Sequence, residues 1–366
     1  MNNTEKHIKE PLIRITKRAS IGWGKAILIR LIAVACAILV SSIAIVILAK
    51  ENPVGIFKSM FEGVFGSSLR IWNFMNGTAI LLGISLAVTP SFRMRFWNCG
   101  AEGQALVGGL AAAACMLFIG NSIPLPLLFV VMIIASIVSG AIWAMIPSIF
   151  KAIWNTNETL FTLMMNYIAI QLIAFCLKKW VKDGSGTLTT MPQFGFPDLF
   201  GQDYLLNIIV IALITIVMYV YLKYSKHGYE VSVVGESENT AKYIGINVKK
   251  VVVRTMIVSG ALCGVVGLLL VANGSCTIST DIVGGQGFTA IMVSWLGKFN
   301  PIYMILTSAL IIFLQRGMNQ VSTDFRLDSS ISDITTAIIL FFIIGCEFFI
   351  NYQIHFRKRE KGGSGK

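Results

Sequence analysis

Apolar stretches long enough to cross a lipid bilayer recur along the whole chain. A helix spanning the hydrocarbon core needs about 20 residues. Candidate runs are Ala26–Ala49, Phe74–Val88, Gly100–Ile119, Leu125–Met145, Thr159–Leu177, Leu205–Leu222, Val251–Ala272, Phe288–Leu296, Tyr303–Leu314 and Ile334–Phe349. Only 13% of residues are charged, against about 25% in a soluble domain, and the mean hydropathy is +0.74. A soluble fold of this length has no interior large enough for so much apolar surface. The expected class is an all-α integral membrane protein. The eighth and ninth runs are short and separated by "GKFNPI", so they read either as two tilted spans or as a helical hairpin turning inside the membrane. The chain therefore has about ten transmembrane segments, or eight plus a hairpin.

The net charge is +12. In a soluble protein that would suggest nucleic acid; here the charge flanks the apolar runs and reports topology and contact with lipid headgroups. With both termini cytoplasmic, Arg93, Arg95, Lys151, the loop 223–250 and the basic tail all fall inside. Lys178, Lys179 and Lys182 are left outside, and the opposite orientation misplaces more charge. The expected organisation is a basic cytoplasmic segment 1–25, a transmembrane domain 26–350 with its cytoplasmic loop 223–250, and a basic tail 351–366. No cleaved signal peptide is expected. The tail ends in the linker-like "GGSGK"; Glu360 stands where a phosphate-binding loop needs glycine, so ATP hydrolysis by this chain is not expected.

Other chemistry is sparse. The seven cysteines form no CxxC pair, and neither a disulfide framework nor a metal site is implied. HExxH and GxSxG are absent, and His7, His227 and His355 lie outside the apolar runs. An intramembrane enzyme is therefore disfavoured. An ion-coupled secondary transporter usually carries ionisable groups deep in its spans, and here Glu102, Glu158 and Glu347 sit near span ends.

Four polar constellations interrupt this apolar background. In "WNCGAEGQALVGGLAAAACM" a span opens on Asn98, Glu102 and Gln104, and its glycines and alanines permit close helix packing. A late-starting helix at membrane depth exposes backbone that only protein or a water-filled cavity can satisfy; the bland alternative is an interfacial glutamate favoured by the helix dipole. In "WNTNETLFTLMMNYIAIQL", Thr156 or Asn157 is placed to cap a helix, while Asn166 lies inside the span as part of a pathway or as helix–helix glue. The loop "SKHGYEVSVVGESENTAKYIGINVKK" contains a short helix over Glu236–Ile244, with Ser237 as N-cap and Gly245 as C-terminal cap. Ala241 and Ile244 share one face, with Tyr243 beside them, so the helix needs a partner protein. The fourth, "NGSCTISTDIVGGQGFTAIMVSWLGKFNP", is a glycine-rich outer loop, either an ordinary surface loop or a docking or gating element.

Four strings, "NCGAEGQALVGGLAA", "NETLFTLMMNYIA", "GESENTAKYIGINVKK...SGALCGVVG" and "GFTAIMVSWLGKFNP", occur in an order that resembles the permease subunits of ABC importers of the branched-chain amino acid, ribose and simple-sugar superfamily. The AEGQ and NE...TLM.NYIA strings resemble most closely the branch that imports nucleosides with a basic-membrane-protein-type binding lipoprotein. The resemblance covers about Phe74 to Phe349; Cys99 and Trp295 depart from the residues usual there. It implies a permease in a bacterial plasma membrane, partnered by a second homologous permease, a cytoplasmic ATPase that holds ATP and Mg, and an extracellular substrate-binding lipoprotein. No cofactor is implied in this chain. It implies that Gly235 to Ile246 forms a coupling helix seated in the ATPase, with Gly235, Glu238, Asn239, Ala241, Tyr243, Gly245 and Ile246 as its contacts. The polar residues themselves mark the expected substrate pathway: Asn98, Glu102, Gln104 and Asn166, with Trp295. Import of simple sugars such as ribose or galactose is the alternative.

Overall fold

The computed structural model describes residues 13–18, 23–49, 52–181 and 186–356. The basic residues Lys6 and Lys9, the outer Lys182 and Asp183, and the tail 357–366 lie outside the described residues. In chain order the elements are β1 (Ile13–Lys17), α1 (Trp23–Ala49), α2 (Pro53–Phe65), α3 (Ser68–Arg93), α4 (Ala101–Ile119), α5 (Leu125–Trp154), α6 (Glu158–Trp180), α7 (Leu205–Tyr224), α8 (Lys226–Glu236), α9 (Glu238–Tyr243), α10 (Val248–Leu270), α11 (Gln286–Leu296), α12 (Pro301–Phe325), α13 (Ser329–Asn351) and β2 (Tyr352–Phe356). A π-turn, Val271–Ser275, continues α10.

The chain divides into two compact units, one formed by Met1–Gly63 and Leu314–Lys366 and the other by Val64–Phe313. The expected single domain 26–350 thus contributes to both. Among the described residues, seven helices are long and apolar enough to cross a membrane: α3, α4, α5, α6, α7, α10 with its π-turn, and α12.

In the first unit α1 packs against α13, with Ala33, Cys346 and Ile350 at their contact. The fold is mostly helical, as the all-α expectation has it, with one small strand pair added here. β1 pairs antiparallel with β2, Ile13 opposite Phe356 and Lys17 opposite Tyr352. Five-residue strands of this kind exist only with their partner, and the partner lies at the far end of the sequence. The α2 helix also escaped the hydropathy reading, because it is 13 residues long and carries a Lys58–Glu62 pair on its surface.

In the second unit α3, α4 and α10 are the buried helices, while α5, α6 and α7 expose most of their apolar surface. Lipid is as apolar as leucine, so helices associate in it through close contact of small residues. A Cβ added at Gly108 would meet the Gly264 Cα at 2.4 Å, and one added at Gly140 would meet the Gly260 carbonyl at 2.3 Å. The Ser136 hydroxyl bonds the Gly108 carbonyl at 2.9 Å. Thus α10 meets both α4 and α5 backbone to backbone.

The chain around Phe288–Leu314 holds one short helix and one long one. α11 has 11 residues, about 16 Å, and is too short to span. α12 has 25 residues, about 37 Å, and is long enough. The hydropathy reading stopped at Leu314 because Gln315, Arg316, Asn319, Gln320 and Asp324 follow, and the helix continues through them.

Candidate functional site

α3 ends at Arg93, whose guanidinium donates to the Leu222 carbonyl near the end of α7. The chain does not start a helix at once. Arg95 takes a left-handed conformation (φ 63), and residues 95–100 run without helix into the unit. Asn98 arrives beside Ser259, eleven residues past Val248 in α10, about 16 Å along that helix. α4 therefore begins deep in the bundle, as a late-starting helix.

A helix start leaves its first N–H groups without partners, and Gly100 offers no side chain to cap them. The cap comes from α6. Asn166 accepts from the Gly103 N–H at 2.8 Å and donates to the Cys99 carbonyl at 2.8 Å. A Cβ at Gly103 would sit 2.9 Å from that same Asn166 oxygen, which accounts for the glycine. Asn98 donates to Ser259 at 3.1 Å and accepts from the Gly100 N–H at 3.1 Å and from Gln104 at 3.0 Å. The Thr162 hydroxyl receives the Cys99 N–H at 3.1 Å.

Glu102 serves a different helix. Its two carboxylate oxygens accept the N–H groups of Gly285, at 2.9 Å, and Gly287, at 2.7 Å. These N–H groups lie at the start of α11, where the helix dipole favours an anion. At the other end of α11, the Trp295 ring lies 5.6 Å from that of Trp97; both are about half exposed. Phe92 and Phe299 flank the pair.

The structure thus buries all four: Asn98, Gln104 and Asn166 cluster around the start of α4, and Glu102 bonds the start of α11. Each is at most 8% exposed and turned into the protein. Trp295, by contrast, is half exposed. Sequence reading missed Thr162, Ser259 and Ser294. The one available signal was the placement of Thr162 a helical turn before Asn166; lone hydroxyls in apolar helices give no other. Among the described residues no cluster of His, Cys, Asp and Glu could hold a metal.

The segment 223–250 is two helices. Ser225 caps α8 through the Gly228 N–H at 2.9 Å, and Ser237 caps α9 through the Thr240 N–H at 3.2 Å. Ser237 is extended (φ −159), so the single helix expected over Glu236–Ile244 breaks there, and Glu236 belongs to α8. Gly245 has φ +85, the left-handed cap the sequence indicated. A Cβ at Gly235 would strike the Arg93 carbonyl at 2.1 Å, so α8 lies tight against the end of α3.

The expected outward face is corrected. Ala241 is buried among Met94, Phe96, Ala144, Val231, Val234, Val252 and Met256. Tyr243 is 92% exposed, Ile244 half exposed, and Glu238, Asn239 and Gly245 are exposed. Ile246 packs against the buried cluster. In the first turn of α8, His227 is held between the Tyr221 hydroxyl and Thr255, and burial, with Arg254 nearby, pushes its pKa below the usual value. Between α5 and α6, Asn157 caps α6 through the Leu160 N–H at 3.1 Å, and Glu158 pairs with Lys151 at 2.9 Å.

Seven helices long and apolar enough to span, joined by buried polar contacts, define a multi-pass membrane protein. The family described as branched-chain amino acid transport system / permease component matches residues 70–344, and the chain belongs to that family. It is 26% identical over 356 residues to the glucose ABC transporter permease protein TsgB13 of Haloferax volcanii, covering 93% of this chain and 92% of that one. It is 28% identical over 328 residues to the guanosine ABC transporter permease protein NupP of Bacillus subtilis, covering 84% and 90%. It is 28% identical over 339 residues to the nucleoside ABC transporter permease protein NupB of Lactococcus lactis, covering 87% and 91%.

Proposed function

We propose that this chain is one of two membrane-spanning subunits of an ATP-driven importer that carries nucleosides into the cell. The observation that carries the substrate class is its likeness, over 84% and 87% of its length, to permeases named for guanosine and nucleoside transport. Ten traverses, counting the loop before α11 and α11 itself as one, return both termini to the cytoplasm. The outer surface of α9, with Tyr243, Ile244, Glu238 and Asn239, docks on a cytoplasmic ATPase that holds ATP and Mg. A second homologous permease completes the route, and an extracellular binding lipoprotein delivers the substrate.

Uptake of radiolabelled guanosine and of glucose into vesicles containing the full importer tests this reading. ATP-dependent guanosine uptake is expected, with no ATPase activity from this chain alone. Uptake of glucose without guanosine would instead favour a simple-sugar importer, the reading that the Haloferax relative supports.

A further inference from the structure

α11 is bracketed by consecutive residues of left-handed backbone. Gly284 (φ +62) and Gly285 (φ +73) precede it, and Lys298 (φ 52) and Phe299 (φ 56) follow it. Glycine adopts this conformation freely, whereas lysine and phenylalanine do so against their preference. The buried face of the helix is built largely of small residues, Gly287, Ala290 and Ser294, which bring its backbone close to its neighbours. The Ser294 hydroxyl bonds the Ser85 carbonyl at 2.9 Å. Glu102 holds the first turn and Trp97 meets the last, so one short stretch of chain grips both ends.

Glu102 makes no ion pair among the described residues. Its buried carboxylate is satisfied by the two N–H groups before and within α11. A carboxamide could offer only one oxygen to those two donors. If α11 swings away, a buried carboxylate and two N–H groups lose their partners together, which is costly in a dry interior. A rigid helix between two pivots, held by an all-or-none contact, has discrete positions.

We propose that Glu102 is a positioning residue for transport: it latches the start of α11, a pivoting half-helix, and so sets the contact between Trp97 and Trp295. This deepens the reading of the chain as an importer subunit and rests on it.

Two measurements on Glu102→Gln test the proposal. Hydrogen–deuterium exchange on the full chain in lipid nanodiscs should quicken over residues 284–297 and stay unchanged in α4 and α10. In the reconstituted importer, substrate moved per ATP hydrolysed should fall about tenfold, the shift expected when one charged hydrogen bond is lost, while the amount of assembled complex holds. Gly285→Ala is the second variant. Its added methyl meets nothing within 4 Å, but its φ of +73 is strained for any side chain, and the same two changes are expected. Unchanged exchange over 284–297 would overturn the latch. Exchange rising equally through α4 and α10, or transport falling only in step with assembled complex, would leave Glu102 a merely structural residue and overturn the proposal. A wild-type importer that moves neither nucleosides nor sugars would overturn the functional reading alone, and the exchange result would still decide the latch.

Discussion

Replacing Gly264 by alanine should be among the most damaging single-methyl changes in this protein. The added Cβ would lie 2.1 Å from the Ser136 carbonyl oxygen and 2.9 Å from its carbon, where ordinary contact begins at 3.4 Å. Both atoms are backbone and cannot swing aside. Relief requires α5 to withdraw by more than an ångström, which strains the Ser136–Gly108 hydrogen bond and opens the contact of Gly140 with the same stretch of α10. Overpacking costs about 1–3 kcal/mol, and a weakened hydrogen bond inside a membrane bundle adds about 0.6 kcal/mol. Thermal denaturation of the detergent-solubilised chain, followed by the folded fraction on size exclusion, measures the effect. Gly345→Ala in α13 is the control, since its Cβ meets nothing within 4 Å, and alanine is favoured over glycine in a helix by about 0.5–1 kcal/mol. The control should match or exceed wild type, and Gly264→Ala should melt several degrees lower. A Gly264→Ala protein melting at or above wild type would refute the backbone-contact account of this seam.

Further outcomes follow from the same geometry. Asn166→Leu should destabilise the chain by about 2–4 kcal/mol, because it strands the buried Gly103 N–H and Cys99 carbonyl; a melting temperature equal to wild type would show that α4 needs no cap from α6. Ala241→Arg should reduce the yield of folded protein, since it drives an unpaired charge into an apolar cluster at a cost of several kcal/mol. Tyr243→Ala, at an exposed position, should leave folding intact and lower ATP-driven uptake, so uptake normalised to folded protein separates the two. His227 has a folded pKa below its unfolded value of about 6.5. Its contribution is therefore full above that value and is lost as pH falls through the folded pKa. Melting curves at pH 7.5 and 5.5 should show a smaller acid-induced loss for His227→Gln than for wild type.

What could be read without a structure was local. Hydropathy marked the membrane class, because each apolar run of about 20 residues carries its own evidence. Ser237 and Gly245 announced their capping roles, and Asn157 stood with Thr156 as a candidate, because a cap acts within three or four residues of itself. The order of the four strings pointed to the permease family. The same reasoning could not say which way Asn98, Glu102, Gln104 and Asn166 turn. Their partners lie elsewhere in the sequence: Asn166 bonds a residue 63 positions away, and Glu102 reaches residues 183 and 185 positions away. Local pattern also placed Ala241 on an outward face, although a single alanine suits a buried cluster equally well. The pairing of β1 with β2, the half-length of α11 and the continuation of α12 through its polar residues were likewise decided by tertiary contact. A polar group in hydrocarbon must find a partner, and only the folded chain determines which partner is within reach.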